Sequence, residues 1–269
     1  MQYKIVFTDL DGTLLSQKKD ISPFTAEQLS RLQEKIPVIL VSARMPKSMT
    51  YIQTQINGLH HPLICYNGAL VIHNEVEILS KTIAPKLTNQ LFETTSLLAI
   101  NLGLYHYNEW YTEKVTERID KEIFNTKAKP SVTSTKRIID SFDSQKKGFH
   151  KIMCMGTKSQ MDELITVLKK DFTAHFQIYR SNDTIIEISP KDTSKLLGIK
   201  ALLKNRFQIS LSDAMAFGDN YNDIEMIKAV GHGVAVANAR NEVVKVADAV
   251  AEDYKMDGVA KYVKQMFNL

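Results

Sequence analysis

Two carboxylates, Asp9 and Asp11, stand at the end of a short apolar run, Ile5-Val6-Phe7, and Gly12 follows them. The run is β-branched and aromatic, which predicts a buried strand. Residues two apart on a strand point to the same side. Two like charges that close repel unless a cation or a shared proton relieves them. A divalent cation that prefers oxygen ligands, such as Mg²⁺, would do so. An Asp-Gly turn closing a strand is the plainer alternative.

Three further groups bear on that choice. Ser42 and Arg44 follow the apolar run Pro37-Val38-Ile39-Leu40-Val41. Lys195 falls in the first turn of a predicted helix. Asp219, Asn222 and Asp223 follow Ala214-Met215-Ala216-Phe217. Each alone has an ordinary reading, as a helix cap, a surface lysine or a turn. Together they supply acidic oxygens for a metal, a hydroxyl and an amide as donors, and an ammonium. Those are the parts for holding a phosphate beside Mg²⁺. Lys195 and the residues after Ser42 also fall near predicted helix N-termini, where backbone amides favour anions.

The elements that must position these residues alternate. Strands at 5–7, 37–41 and 62–66 are separated by helices that open at Ser22-Pro23 and at Met45-Pro46-Lys47-Ser48. Ser22 is the expected N-cap, with Pro23 at the first helical position. Such alternation predicts a parallel sheet with helices on both faces. In an open sheet of this kind, ligands bind at the carboxyl ends of the strands. The rhythm then changes. Residues 69–80 predict a hairpin turning near Asn74-Glu75. A helix is expected over 85–102, one aromatic strand over 104–112, a short helix over 113–124, a strand over 148–155 and a helix over 159–170. Strands at 175–180 and 184–189 predict an antiparallel hairpin. This block reads as a separate α+β domain inserted into the first. The first rhythm returns with a helix capped by Thr193, strands at 214–217 and 233–236, and a last helix after Asp257-Gly258.

Composition narrows the class. The 269 residues suit one large or two modest domains. Lys plus Arg number 34 against 30 acidic residues, and the net charge of +4 is dispersed, which argues against nucleic acid as a partner. The two cysteines, Cys65 and Cys154, sit in apolar runs and read as buried thiols, not a disulfide framework. Met1-Gln2-Tyr3-Lys4 runs straight into a strand without a signal-peptide pattern, and no apolar run approaches the roughly 20 residues of a membrane helix. The expectation is a cytoplasmic protein with neither a nucleic-acid nor a membrane partner, acting as a monomer or homodimer.

The residues also carry a resemblance. Asp9-Leu10-Asp11-Gly12-Thr13-Leu14 resembles the opening motif of the haloacid dehalogenase-like (HAD) superfamily. Ser42 matches its second motif, Lys195 its third, and Gly218-Asp219-Asn220-Tyr221-Asn222-Asp223 its fourth. The insertion after Tyr66-Asn67-Gly68-Ala69 resembles the large cap of the Cof-type (subfamily IIB) phosphatases, and Asp257-Gly258-Val259-Ala260 looks like that subfamily too. Two departures stand out: Ser42-Ala43-Arg44 where Thr-Gly-Arg is usual, and Ala237 where Gly is common. Serine keeps the hydroxyl; substrate fit near Ala43 is where the difference would be felt.

The resemblance implies an α/β fold, a Rossmann-like parallel-sheet core over 1–82 and 190–269 with an inserted α+β cap of the C2B type over 83–189. It implies a Mg²⁺-dependent phosphatase of small phosphorylated metabolites, sugar phosphates or similar phosphomonoesters, working through an aspartyl-phosphate. Asp9 would be the nucleophile, and Asp11 would protonate the leaving alcohol and then deprotonate the attacking water. Mg²⁺ would bind the Asp9 carboxylate, the Asp11 backbone carbonyl and Asp219. Leu10, Ser42, Ala43, Lys195 and Asn222 would hold the phosphoryl group, and Asp223 would orient Lys195 or a water of the metal. Arg44 and Asn67 are candidates for substrate contact, and the cap would cover the site and select substrates, with His106, Tyr107 and Trp110 as candidate selectors or core. Alternatives are a phosphotransferase or mutase of the same fold, a phospho-acceptor signalling domain, and a binding protein with a dead site.

Overall fold

The computed structural model describes residues 3–269. Met1 and Gln2, on which the expectation about the chain start partly rests, lie outside the described residues. The chain divides into two compact units, one running to Leu79 and resuming at Ser194, the other spanning Ser80–Thr193.

The first unit begins with β1 (Ile5–Thr8), α1 (Pro23–Gln33), β2 (Val38–Val41), α2 (Lys47–Gln55), β3 (Leu63–Cys65), β4 (Leu70–His73) and β5 (Val76–Ser80). The second unit carries α3 (Pro85–Leu97), β6 (Asn101–His106), β7 (Glu109–Thr112), α4 (Glu117–Thr126), β8 (Ser131–Val132), α5 (Thr135–Ser144), β9 (Lys151–Met155), α6 (Lys158–Asp171), β10 (Phe176–Asn182) and β11 (Ile185–Pro190). The first unit then resumes with α7 (Lys195–Leu202), β12 (Ala214–Gly218), α8 (Ile224–Ala229), β13 (His232–Val236), α9 (Asn241–Val244), β14 (Ala249–Ala251) and α10 (Gly258–Phe267).

In the first unit the strand order is β14-β13-β12-β1-β2-β3-β4-β5. Pairings from β14 to β3 are parallel, and β4 runs antiparallel to β3. From β1 the chain steps outward to β2 and β3. After the second unit it returns to β12, on the other flank of β1, and steps outward again. The order therefore reverses between β1 and β12, and their carboxyl ends flank the crevice where open α/β sheets bind ligands. Every residue of β1, β2 and β12 is buried, which explains why these strands read as unbroken apolar runs and not as alternating ones.

One tie joins distant ends of this unit. Ser22 caps α1 by accepting from the Thr25 N–H, and Pro23 opens the helix, as the sequence predicts. Asp257, in the left-handed region at φ 58°, accepts from the Ser22 hydroxyl at 2.6 Å and the Thr25 hydroxyl at 2.9 Å. One carboxylate thus anchors the start of α10 to the start of α1.

The second unit is a six-stranded sheet of order β10-β11-β9-β6-β7-β8, antiparallel except for the short β7–β8 pair. Leu102, Leu104, Ile152, Cys154, Ile186 and Ile188 pack with Leu91, Phe142, Leu164 and Leu168 in its core. Several expectations are corrected here. The helix expected to reach Leu102 ends at Leu97, because Leu102 and Leu104 alternate into the core as strand residues paired with β9. The single aromatic strand over 104–112 is a hairpin that turns at Tyr107, φ 48°. The helix expected at 113 starts at Glu117, where Thr116 accepts from the Ile119 N–H. Helix α5 escapes the sequence reading because its buried stripe is narrow, Thr135, Ile139 and Phe142. Thr193 does not cap α7: its hydroxyl donates to the Pro190 carbonyl at 2.6 Å, and Ser194 accepts from the Leu197 N–H instead. Trp110 is packed away, 1% exposed and stacked on Tyr105. His106 and Tyr107 are half-buried beside His150.

Both cysteines are buried free thiols, and burial pushes each above its ordinary value. Among the described residues no helix is long and apolar enough to cross a membrane.

Replacing Asp257 by Ala removes both hydroxyl contacts and places a Cβ residue without a local partner at positive φ. Hydrogen bonds to charged groups contribute about 1.5–3 kcal/mol, so Asp257→Ala should lower unfolding free energy by roughly 2–4 kcal/mol with the m-value unchanged. Urea titration checks this; a loss below about 0.5 kcal/mol would show that the tie contributes nothing.

Candidate active site

Asp9 follows β1 directly, and its N–H donates to the Phe217 carbonyl at the end of β12, 3.0 Å away. That bond holds the two strand ends in register just where their polar residues begin. Gly12 then turns the chain with φ 90°, and a Cβ there would lie 2.5 Å from Asp219 Oδ2. Only glycine lets the loop pass this close to the carboxylate. Thr13, one residue on, donates its hydroxyl to Asp219 Oδ1 at 3.0 Å. Thr13 was not singled out in sequence, although its place in the Asp-Gly-Thr run offered the signal.

Lys195 sits in the first turn of α7 and is 1% exposed. Its Nζ donates to Asp9 Oδ1 and to Asp223 Oδ1, each at 2.5 Å. Asp223 Oδ2 in turn accepts the N–H groups of Asp219 and Asn220, both at 3.0 Å. The start of α7 is placed by Gly68, φ 88°, whose missing Cβ would meet the Ser194 carbonyl oxygen at 2.1 Å. Asn67, also left-handed at φ 53°, donates its N–H to the Ser42 carbonyl and accepts from Asn222 Nδ2 at 3.0 Å. So Asn67-Gly68 joins the residues after β2, α7 and β12.

Ser42 is buried, with its Oγ accepting from the Arg44 N–H at 3.3 Å, and Ala43 between them is half-buried. The Leu10 side chain is wholly buried, and its carbonyl accepts the N–H groups of Thr13, Leu14 and Leu15. The Asp11 carboxylate is held by two cations. Arg44 grips it through Nε at 2.7 Å and Nη2 at 2.9 Å, and Lys19 Nζ adds a contact of 2.8 Å. The structure therefore gathers Asp9, Asp219 and Asp223 around Lys195, and Asn67 with Asn222, while the Asp11 side chain joins Arg44.

One oxygen from each of Asp9, Asp219 and Asp223 lies within 4.8 Å of the others. Burial pushes the Asp9 carboxyl well above the usual carboxylate range; the Lys195 ammonium opposes this, and the charges of Asp223 and Asp219 add to it. Burial, reinforced by Asp223, pushes Asp219 up to about 6. Burial works against the Lys195 ammonium, but Asp223 and Asp9 outweigh it and hold its value above that of an ordinary lysine. The ammonium thus stays charged, and the deficit lies with the carboxylates. Hard oxygen donors, close together and short of positive charge, suit a small divalent cation such as Mg²⁺. At Asp11, burial works upward too, but the hydrogen bond and charge of Arg44, with Lys19, hold the carboxyl below its ordinary value.

Residues 6–263 match the family model of the haloacid dehalogenase-like hydrolases. The chain belongs to that family. It is 32% identical over 272 residues to a putative phosphatase of Haemophilus influenzae, covering 99% of each chain. A haloacid dehalogenase-like hydrolase from Bacteroides thetaiotaomicron shares its structure with a TM-score of 0.90 at 26% identity, covering 98% of this chain and 100% of that one. A HAD subclass IIB sugar phosphatase shares the fold with a TM-score of 0.80 at 22% identity, over 99% and 100% of the two chains. The α/β fold expected for the family is thus borne out, and family and relatives together support a phosphatase.

The carboxylate deficit makes a pH prediction. Asp219 binds its proton more tightly when folded, at about 6 against an ordinary 3.8. Between those values the folded chain holds more protons than the unfolded one, so stability falls as pH rises. In EDTA, the stability of the wild-type chain relative to Asp219→Asn should fall from pH 4 to pH 6 and stay level above. Saturating Mg²⁺ should cancel the fall. Denaturant titrations across that range check it; a pH-independent difference in EDTA would remove Asp219 as the source.

Proposed function

We propose that this hydrolase is a Mg²⁺-dependent phosphatase of small phosphomonoesters that works through an aspartyl-phosphate on Asp9. The observation that carries the reading is the Asp9–Lys195–Asp223 arrangement beside Asp219, at the carboxyl ends of β1 and β12. A carboxylate held by a buried ammonium at such a crevice supports a reading of covalent catalysis over one of packing.

In the first step an Asp9 oxygen attacks phosphorus, and the bond from phosphorus to the leaving alcohol oxygen breaks as Asp11 protonates that oxygen. In the second, Asp11 takes a proton from water, the water oxygen bonds to phosphorus, and the bond to Asp9 breaks, releasing phosphate. Ser42, Ala43 and Leu10 line the phosphoryl oxygens with hydroxyl and backbone groups. Lys195 and Asn222 supply the ammonium and the amide, with Asp223 keeping Lys195 in place. Asn67 and Arg44 would contact the substrate. When bound, Mg²⁺ would be held by the Asp9 carboxylate, the Asp11 backbone carbonyl and Asp219, and would neutralise charge between nucleophile and phosphate. The inserted unit would serve to select among leaving groups. A phosphotransferase would use the same first step and differ only in the acceptor.

Two experiments test this. EDTA should abolish turnover of p-nitrophenyl phosphate and Mg²⁺ should restore it, with Ca²⁺ a poor substitute because it is larger and less strictly octahedral. Asp9→Asn should fold, bind substrate and form no phosphoenzyme, whereas Asp11→Asn should accumulate it. Full activity in EDTA, or labelling that survives Asp9→Asn, would sink the mechanism. For the inserted unit, replacing residues 83–189 with a short loop should erase discrimination across a panel of phosphorylated metabolites; an unchanged ranking in a folded variant would show that the unit does not select.

A further inference from the structure

The second unit holds a cavity of its own. Its volume is about 460 Å³, and it lies where β6 and β11 begin and β9 ends, at Asn101, Thr184 and Met155. Cavities that take small molecules commonly measure about 300–1,000 Å³. The segments that join this unit to the first meet its sheet at the opposite end. Ile83 pairs with Phe149, just before β9, and Thr193 bonds to Pro190, the last residue of β11. Asp9, Lys195, Asp219 and Asp223 all belong to the first unit, so this cavity is no part of the catalytic cluster.

Most polar groups on the cavity wall already have partners. Asn101 Nδ2 donates to the Thr112 hydroxyl at 3.1 Å and to the Lys114 carbonyl at 3.3 Å. Gln160 Nε2 donates to the Leu98 carbonyl at 2.8 Å, and its Oε1 accepts from the Thr157 N–H at 2.7 Å. The Thr184 hydroxyl donates to Asn182 Oδ1 at 2.9 Å. These bonds fix the wall and leave two cationic donors open. Lys114 is exposed, and among the described residues nothing accepts from its ammonium. Arg118 donates Nη2 to the buried Glu122 at 3.0 Å, which holds the guanidinium in place, while its Nε is buried with no acceptor. A buried N–H without an acceptor is rare, and here it belongs to a residue of the cavity wall. The third cation, Lys121, is balanced by Glu117 at 3.0 Å, both of them exposed.

We propose that this cavity is a second binding site, for a small molecule carrying an anionic oxygen group, a phosphate or a carboxylate, held by Lys114 and Arg118. Such a group gives Arg118 Nε the acceptor it lacks, and Lys114 supplies opposing charge. Charge-assisted hydrogen bonds of this kind are the stronger ones, and a guanidinium suits a carboxylate or phosphate edge. Two helices also begin on the wall, α4 at Thr116 and α6 at Thr157, and their N-terminal ends favour an anion. Ala99 and Met155 offer the body of the ligand an apolar surface.

Phenylphosphonate and benzoate are the probes, because each joins one anionic head to an apolar ring and neither is a phosphomonoester. The full-length chain is titrated with each in EDTA, and binding is read residue by residue from backbone amide shifts. The expected result is saturating shifts at Lys114, Arg118 and Gly156 for at least one probe, with a Kd of about 1 mM, within reach of a fragment-sized ligand. The tighter probe tells a phosphate site from a carboxylate site. Lys114→Gln should weaken that binding about 5-fold, and Arg118→Gln about 10-fold or more. Binding at Asp9 and Lys195 reads separately, and turnover of p-nitrophenyl phosphate should stay at the wild-type level in both variants. Arg118→Gln leaves Glu122 unpaired; if that variant does not fold, Lys114→Gln, which breaks no contact, still decides. The proposal is overturned if neither probe shifts these amides, if shifts arise only at the catalytic residues, or if Lys114→Gln binds as the wild type does.

Discussion

The site depends on one buried ammonium. Lys195 Nζ lies between Asp9, 186 residues earlier, and Asp223, 28 residues later. Burying charge without a partner costs several kcal/mol per ion, and removing one member of a buried set leaves the rest uncompensated. The arrangement therefore demands that β1, α7 and the turn after β12 meet within a hydrogen-bond length. It also leaves more carboxylate than ammonium in one place, since Asp219 lies with Asp9 and Asp223. That surplus destabilises the resting chain and favours binding of a cation. A site poised in this way gives up stability for function, as strained sites commonly do.

The supports of that ammonium are steric as much as electrostatic. At Gly68 a Cβ would overlap the Ser194 carbonyl, and at Gly12 one would overlap the Asp219 carboxylate. Both glycines occupy positive φ. The first lets Asn67-Gly68 press against the start of α7, and so aims Lys195. The second lets the loop after β1 fold over the carboxyl end of β12. Asn238 adds a third support from the next crossover, donating Nδ2 to the Gly12 carbonyl at 2.7 Å. The turns after β12 and β13 thus both touch the loop after β1, through Asp219 and Asn238.

The departures from the usual family pattern sit in this framework without disturbing it. Ser42 keeps a hydroxyl in place of threonine, and that hydroxyl accepts from the Arg44 N–H. Ala43 is half-buried between two buried neighbours, Ser42 and Arg44. Arg44, next in the chain, donates to Asp11.

By itself the sequence determined the alternating core, because strands buried on both faces must be apolar throughout and their ends must be polar where a ligand binds. It also singled out Asp9, Lys195, Asp219 and Asp223 as candidates at predicted strand ends or a helix start, and the structure brings these four together. It could not separate the elements of residues 85–144, where Leu102 and Leu104 serve equally well in a helical stripe or on a strand face, and where α5 has too narrow a stripe to announce itself. Only the tertiary structure decided which polar residues meet. Partners separated by 33, 206 and 232 residues, as in Arg44 with Asp11, Thr13 with Asp219 and Thr25 with Asp257, are set by the sheet order and not by local pattern. Asp223 illustrates the difference: its place in the fourth motif announced a supporting role, and the chain's path around β12 put its carboxylate within the same cluster as Asp9 and Asp219. Lys19 carried no signal at all, because a lysine in a polar loop looks the same in sequence whether or not the fold brings it to Asp11.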